Sequence, residues 1–334
     1  MKVLFVNEAG VRELLPMGIC IRLMREALAT LAQGEAVQPL RSMLRLPDGS
    51  GLLGLMPGYL GAPQSFGLKV VSVMPGNHGT LYDSHQGVVM LFGIAHGEPL
   101  AILDATAITA IRTAAASAAA TDALARHDAG DLALLGAGTQ ARSHLAAMRN
   151  VRPLRRVRVW SRTRAHAEHF VREESARAGI PIEVAGRAQD AVRNADLVCT
   201  TTAAREPILE GAWLAPGAHV NAVGACFPSS RELDTEAVRR ARFFTDCRES
   251  CLTESGDFRL ARAEGAIGDD HLLGEMGDVF LGKVLGRVSR DDITVYESLG
   301  IAIEDLAAAH YIHRSAVGSG GGTWLEWGGP PDLA

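Results

Sequence analysis

The sequence predicts an α/β protein in which a doubly wound parallel sheet accompanies a second, split α+β domain. Three observations point there. From Leu132 onward, apolar strand-like runs at residues 132–135, 157–160, 182–185, 197–200, 219–223 and 242–245 alternate with helical stretches, the rhythm of parallel strands joined by helices. The first of these runs breaks directly into Gly136-Ala137-Gly138-Thr139-Gln140-Ala141. The first hundred residues instead carry short alternating runs separated by turns, a hairpin pattern.

Taken in order, residues 3–6 read as a strand, and residues 17–33 place Ile21, Met24, Leu28 and Leu31 at helical spacing. Residues 41–46, 51–56 and 67–74 alternate or run apolar, and 88–94 turns through His96-Gly97 into 100–103. Residues 113–125 form an alanine-dense helix without Gly or Pro. After Val295-Tyr296-Glu297-Ser298-Leu299-Gly300, an apolar helix continues to about His313 and returns to the first domain. The expected division is therefore residues 1–112 with 301–334 against residues 113–300. The tail, with Gly318 to Gly322 and Gly328-Gly329-Pro330-Pro331, is expected to be loose.

Composition narrows the function classes. A chain of 334 residues, 47% hydrophobic and 21% charged, has material for two domains. A net charge of −5 without a basic stripe argues against nucleic acid. The strand-like start and the lack of an 18-residue apolar run lead to the expectation of a cytoplasmic enzyme without a membrane partner. The five cysteines form no CxxC and the eleven histidines no HxxxH or HExxH pair, so no metal is expected.

The glycine run carries chemistry because each small residue has a task. Gly136 makes the tight turn, Gly138 lets backbone N–H groups approach a pyrophosphate, and Ala141 lets the next helix pack closely, its positive end on the phosphates. This is the turn of a Rossmann dinucleotide site. The ribose-reading position, about 20 residues beyond the last small residue, holds Ser161, followed by Arg162, Thr163 and Arg164. Where NAD sites usually carry a carboxylate, this one offers hydroxyls and guanidinium, which favours NADP(H) and leaves NAD(H) possible. The alternative is that both arginines are solvated residues at a helix start. The full candidate set for the cofactor is Thr113, Gly136, Gly138, Thr139, Gln140, Ala141, Ser161, Arg162, Thr163, Thr201, Val223, Gly224 and Ser298.

Three cations stand in apolar or tightly patterned surroundings: Arg41 after Val37-Gln38-Pro39-Leu40, Lys69 in Phe66-Gly67-Leu68-Lys69-Val70-Val71, and Arg112 after Ile108-Thr109-Ala110-Ile111. Each alone reads more readily as a solvated residue. Together they would bind a carboxylate, with a desolvated Lys as proton donor or acceptor.

These segments, with Leu55-Met56-Pro57, Ser84-His85-Gln86, Asn221-Ala222-Val223-Gly224-Ala225, Arg231-Glu232-Leu233-Asp234, Glu254-Ser255-Gly256-Asp257 and Ser298-Leu299-Gly300, follow one another in an order that resembles the ornithine cyclodeaminase/mu-crystallin family. The resemblance covers nearly the whole chain. It implies a split first domain that binds substrate and builds an antiparallel dimerisation sheet, with a Rossmann domain that brings nicotinamide to it. It places Arg41, Lys69 and Arg112 as catalytic and substrate-binding residues, and Ser84, His85, Gln86, Cys226 and Gly300 as further substrate contacts. Cyclodeaminases carry an aspartate two positions before the proline of Gly224-Ala225-Cys226-Phe227-Pro228, and here that position is Cys226. Losing the acid disfavours ornithine cyclisation and leaves the pattern nearest the mu-crystallin-like ketimine reductases. The implied activity is NAD(P)H-dependent reduction of small imino acids or cyclic ketimine carboxylates by a homodimer. A cyclodeaminase with bound NAD and a non-catalytic NADP(H)-binding protein are the alternatives. Glu297 stands where many relatives have lysine, and nothing in the sequence accounts for it.

Overall fold

A computed structural model describes residues 1–77 and 80–328 of the chain. Strand β1 (Lys2–Val6) ends at Asn7, whose side chain caps helix α1 (Glu8–Leu14) by accepting from the Gly10 N–H. Pro16 opens α2 (Met17–Ala32), which buries Cys20, Leu23, Met24, Ala27 and Leu28 along one face. The strands β2 (Ala36–Val37), β3 (Ser42–Arg45), β4 (Leu52–Gly61), β5 (Gln64–Val73), β6 (His85–Phe92) and β7 (Pro99–Asp104) follow. Helix α3 (Ala105–Leu124) starts well before the alanine-dense run, so Arg112 lies within it.

The chain then alternates: β8 (Asp131–Leu135), α4 (Thr139–Val151), β9 (Arg156–Trp160), α5 (Arg164–Ala178), β10 (Ile182–Val184), α6 (Ala188–Val192), β11 (Leu197–Thr200) and β12 (His219–Ala222). Next come α7 (Thr235–Arg240), β13 (Ala241–Thr245), α8 (Arg248–Glu254), α9 (Gly256–Ala263), β14 (Leu272–Glu275), α10 (Met276–Phe280) and β15 (Ile293–Glu297). Helix α11 (Ala302–Ser319) and strand β16 (Thr323–Glu326) complete the described chain. Two compact units result, Met1–Arg112 with Ile301–Ala334, and Thr113–Gly300.

In the first unit eight strands form one sheet in the order β16-β1-β7-β6-β5-β4-β2, with β3 also on β4. From β7 to β2 the pairing is antiparallel, but β1 lies parallel to β7, so the sheet is mixed. The tail is not uniformly loose. Gly318 belongs to α11, and Thr323–Glu326 pairs antiparallel with β1, where it covers that strand's open edge. Gly329, Pro330 and Pro331 lie outside the described residues. One sheet face carries α11 so closely that a Cβ on Gly58 would sit 3.2 Å from Ala302 Cβ, and one on Gly67 would sit 3.0 Å from Leu306.

In the second unit eight parallel strands run in the order β10-β9-β8-β11-β12-β15-β13-β14. Two of them, β14 and β15, were not anticipated as strands. The order reverses between β8 and β11, and in such sheets ligands bind beyond the carboxyl ends of the strands at that switch point. Leu135, Val198, Val220, Phe243 and Val295 form the buried core on one face of this sheet with Phe258 and Leu233. No described helix is long and apolar enough to cross a membrane.

Candidate functional site

In the second unit, the turn after β8 has the geometry that a dinucleotide requires. Gly136 adopts φ +122°, and a Cβ there would lie 2.6 Å from Thr201 Oγ1 and 2.8 Å from the Thr201 carbonyl oxygen, so this position admits only glycine. At Gly138, the N-cap of α4, a Cβ would meet no described atom within 4 Å. The exposed start of a 13-residue helix without an acid in its first turn therefore fits a pyrophosphate. Ala141 is fully buried, as close helix–sheet packing demands. At the end of β9, Ser161 is half-buried and Arg162 and Thr163 are exposed, Thr163 immediately preceding α5. Thr113 is buried at the unit's first position, and Gln140 contributes its carbonyl to His144 Nδ1 at 2.8 Å. Among the described residues no group of three or more His, Cys, Asp or Glu side chains could hold a metal ion.

Beyond β11, β12 and β15, a layer of buried carboxylates supports the remaining cofactor candidates. The Glu232 carboxylate accepts from Thr200 Oγ1 at 2.7 Å, Thr202 N at 2.6 Å, Thr202 Oγ1 at 2.7 Å and Gly224 N at 2.7 Å. Asp257 Oδ1 accepts from the backbone of Glu232 and Leu233 at 2.8 and 3.0 Å. Ser255 Oγ donates to Glu297 Oε1 at 2.5 Å. Burial first, and then the Glu232 charge, push Asp257 up to about 7. Burial and the neighbouring Asp257 push Glu297 well above the carboxylate range. Asp257 Oδ2 and Glu297 Oε2 lack a hydrogen-bond partner among the described residues, so neutral carboxyls fit this layer better than two charges. Asp246 Oδ2 meanwhile accepts from Leu299 N at 2.8 Å and Gly300 N at 2.6 Å, which holds Gly300 at φ +75° just after Ser298. Cys226 is half-buried against the sheet core.

In the first unit, Lys69 on β5 and Arg112 on α3 meet the first turn of α11. Lys69 Nζ lies 2.7 Å from Asp305 Oδ2, Arg112 Nε 2.9 Å from Asp305 Oδ1, and Arg112 Nη1 2.8 Å from Glu304 Oε2. No side chain of the four is more than 5% exposed. Two cations and two carboxylates thus compensate one another. The sequence pattern had shown only the positive half. Burial lowers the Lys69 ammonium to about 8, with Asp305 opposing and the charges of Arg112 and Arg41 assisting. Arg41, half-buried before β3, thus acts on Lys69 through its charge. Ser84, His85 and Gln86 stand further along the hairpin, where His85 pairs with Val73 while Lys69 pairs with Val89. They are largely exposed, with Ser84 Oγ 3.0 Å from His85 Nδ1 and Gln86 Nε2 donating to the Asp83 carbonyl at 3.1 Å.

Sequence reasoning missed Glu304, Asp305, Glu232 and Asp246. The signal for the first two was present in Ile301-Ala302-Ile303-Glu304-Asp305-Leu306, two acids in an otherwise apolar run that had to find cations. Asp246 follows a predicted strand at its carboxyl end, the edge where parallel sheets build sites.

The chain is 40% identical over 292 residues to a ketimine reductase mu-crystallin of Mus musculus, covering 86% of this chain and 89% of that protein. A solved Delta(1)-pyrroline-2-carboxylate reductase of Thermococcus litoralis, in complex with NADH and L-proline, superposes with a TM-score of 0.94 at 34% identity, over 96% of this chain and 99% of that one. An archaeal alanine dehydrogenase dimer with bound NAD gives 0.92 at 31% identity, over 98% and 100%. The family model described as ornithine cyclodeaminase/mu-crystallin matches residues 1–320. With the dinucleotide turn, the buried Lys69 cluster and these likenesses together, the chain belongs to the ornithine cyclodeaminase/mu-crystallin family.

Proposed function

We propose that this chain is a nicotinamide-dependent reductase of small imino acids, one that saturates a C=N bond beside a carboxylate. The observation that carries the reading is Lys69, a buried ammonium held at 2.7 Å from Asp305 and lowered to about 8, so that it can release a proton near neutral pH. Arg41 and Arg112 bind the substrate carboxylate, Arg112 with its guanidinium plane fixed by Asp305 and Glu304. Lys69 gives its proton to the imine nitrogen. The bound nicotinamide supplies the hydride, which is the cofactor's own chemistry. Cys226 in place of an acid favours this reaction over cyclisation with ammonia release.

NADPH is the preferred cofactor in this reading, supported by Ser161 and the exposed Arg162 where a carboxylate would repel a 2′-phosphate. A homodimer is supported by the outer face of the first unit's sheet, where Leu55, Phe66, Leu68, Val70, Met90 and Phe92 form an apolar, partly exposed surface opposite the face covered by α11. Light scattering at micromolar concentration should report a dimer, and a monomer would remove that part of the reading. The activity is tested by NADPH and NADH oxidation with Δ1-pyrroline-2-carboxylate and with linear imino acids. Proline and ammonia formed from ornithine, with no imine reduction, would overturn it.

A further inference from the structure

We propose that Glu232 is a positioning residue for the nicotinamide half of the bound dinucleotide. It would act by clasping together the two loops that leave β11 and β12. The proposal rests on the reading that the cofactor lies along the carboxyl ends of the second unit's strands. Ser161 at the end of β9 marks the side of the switch point that reads the adenine ribose, so the nicotinamide half falls over β11 and β12.

Glu232 is fully buried and lies on neither strand. Its Oε2 takes Thr200 Oγ1 and Gly224 N, and its Oε1 takes Thr202 N and Oγ1. One carboxylate therefore ties the exit of β11 to the exit of β12, on either side of the candidate contacts Thr201 and Val223. Gly224 is shaped to it, since a Cβ there would sit 2.6 Å from Glu232 Cδ and 2.0 Å from the Thr202 carbonyl oxygen. The Glu232 backbone is itself pinned by Asp257 Oδ1. Each carboxylate oxygen accepts one backbone N–H, a donor that cannot rotate away. An amide in either orientation would therefore set its NH2 against one of them.

The test compares binding of NADH with that of ADP-ribose, which lacks nicotinamide, by titration calorimetry on the whole protein. Glu232→Gln should weaken NADH about tenfold or more while ADP-ribose changes by less than about twofold. Thr200→Val, which removes a single donor, should show the same split more weakly, and it keeps the proposal testable if Glu232→Gln does not fold. Equal loss for both ligands, or no loss for either, would overturn it. A parent protein that reduces no imine yet shows this split would sink the reductase reading and leave the clasp standing.

Discussion

Three neighbours act on the Lys69 ammonium in opposite directions. Burial and the charges of Arg112 and Arg41 favour its neutral form, whereas Asp305 favours the ammonium. In the proposed mechanism the ammonium form donates, so turnover in imine reduction should decline as pH rises past about 8. Lys69→Ala should lose about 100-fold or more in turnover, the usual scale for a removed general acid, and unchanged turnover would remove Lys69 from the mechanism. Asp305→Asn takes away the attraction that holds the proton, so the alkaline limb of the pH profile should move to lower pH. A limb that stays in place, or moves up, would contradict the ion pair's role. The cations of this cluster were legible in sequence because each breaks an apolar run. Their carboxylate partners interrupt an apolar run in the same way, but Glu304 and Asp305 open a helix, where acids are commonplace for reasons of helix dipole alone, so the pattern did not single them out.

At the scale of elements, the turn from β8 into α4 and the end of β9 divide the labour of holding a dinucleotide. Arg162 is exposed beyond β9, and in the proposed NADPH site its guanidinium would pair with the 2′-phosphate. Arg162→Ala should weaken NADPH about tenfold, the loss of one charge-assisted contact, and leave NADH nearly unchanged. Equal effects on both cofactors in a fluorescence titration would show that Arg162 is only a solvated residue. The strand–turn–helix of this region was readable because periodicity and small residues agree over a short span. Strands β14 and β15 were not: Leu272–Glu275 has four residues, and Ile293–Glu297 runs directly into the segment before α11, so its apolar character merged with that helix. Strand β16 was missed for the opposite reason. Its glycine-rich flanks advertised a loop, while pairing with β1 supplied the order that local sequence lacked.

For the molecule as a whole, buried ionisable groups tie stability to pH with two signs. His144 and His219 are held neutral by burial, lowered to about 4 and about 3 from an ordinary 6.5, so the unfolded chain takes up protons that the native state refuses and acid destabilises. Asp257 works the other way. Raised to about 7 from 3.8, it stays protonated in the native state where the unfolded carboxyl has ionised, so its contribution is fully present below 3.8 and is lost as pH rises through 7. Asp257→Asn keeps an oxygen for the Glu232 and Leu233 N–H groups but cannot ionise. Its unfolding midpoint relative to the parent should therefore rise between pH 6 and pH 8, and a constant difference would show that Asp257 does not titrate in this range.

The central claim, reduction of an imine carbon beside a carboxylate, is tested most directly by following the hydride. The whole protein is given Δ1-pyrroline-2-carboxylate and NADPH carrying deuterium at both nicotinamide C4 positions, and the product is read by mass spectrometry. Proline should carry a single deuterium, on the carbon that bears the carboxylate. Unlabelled proline, or no proline at all, would contradict it.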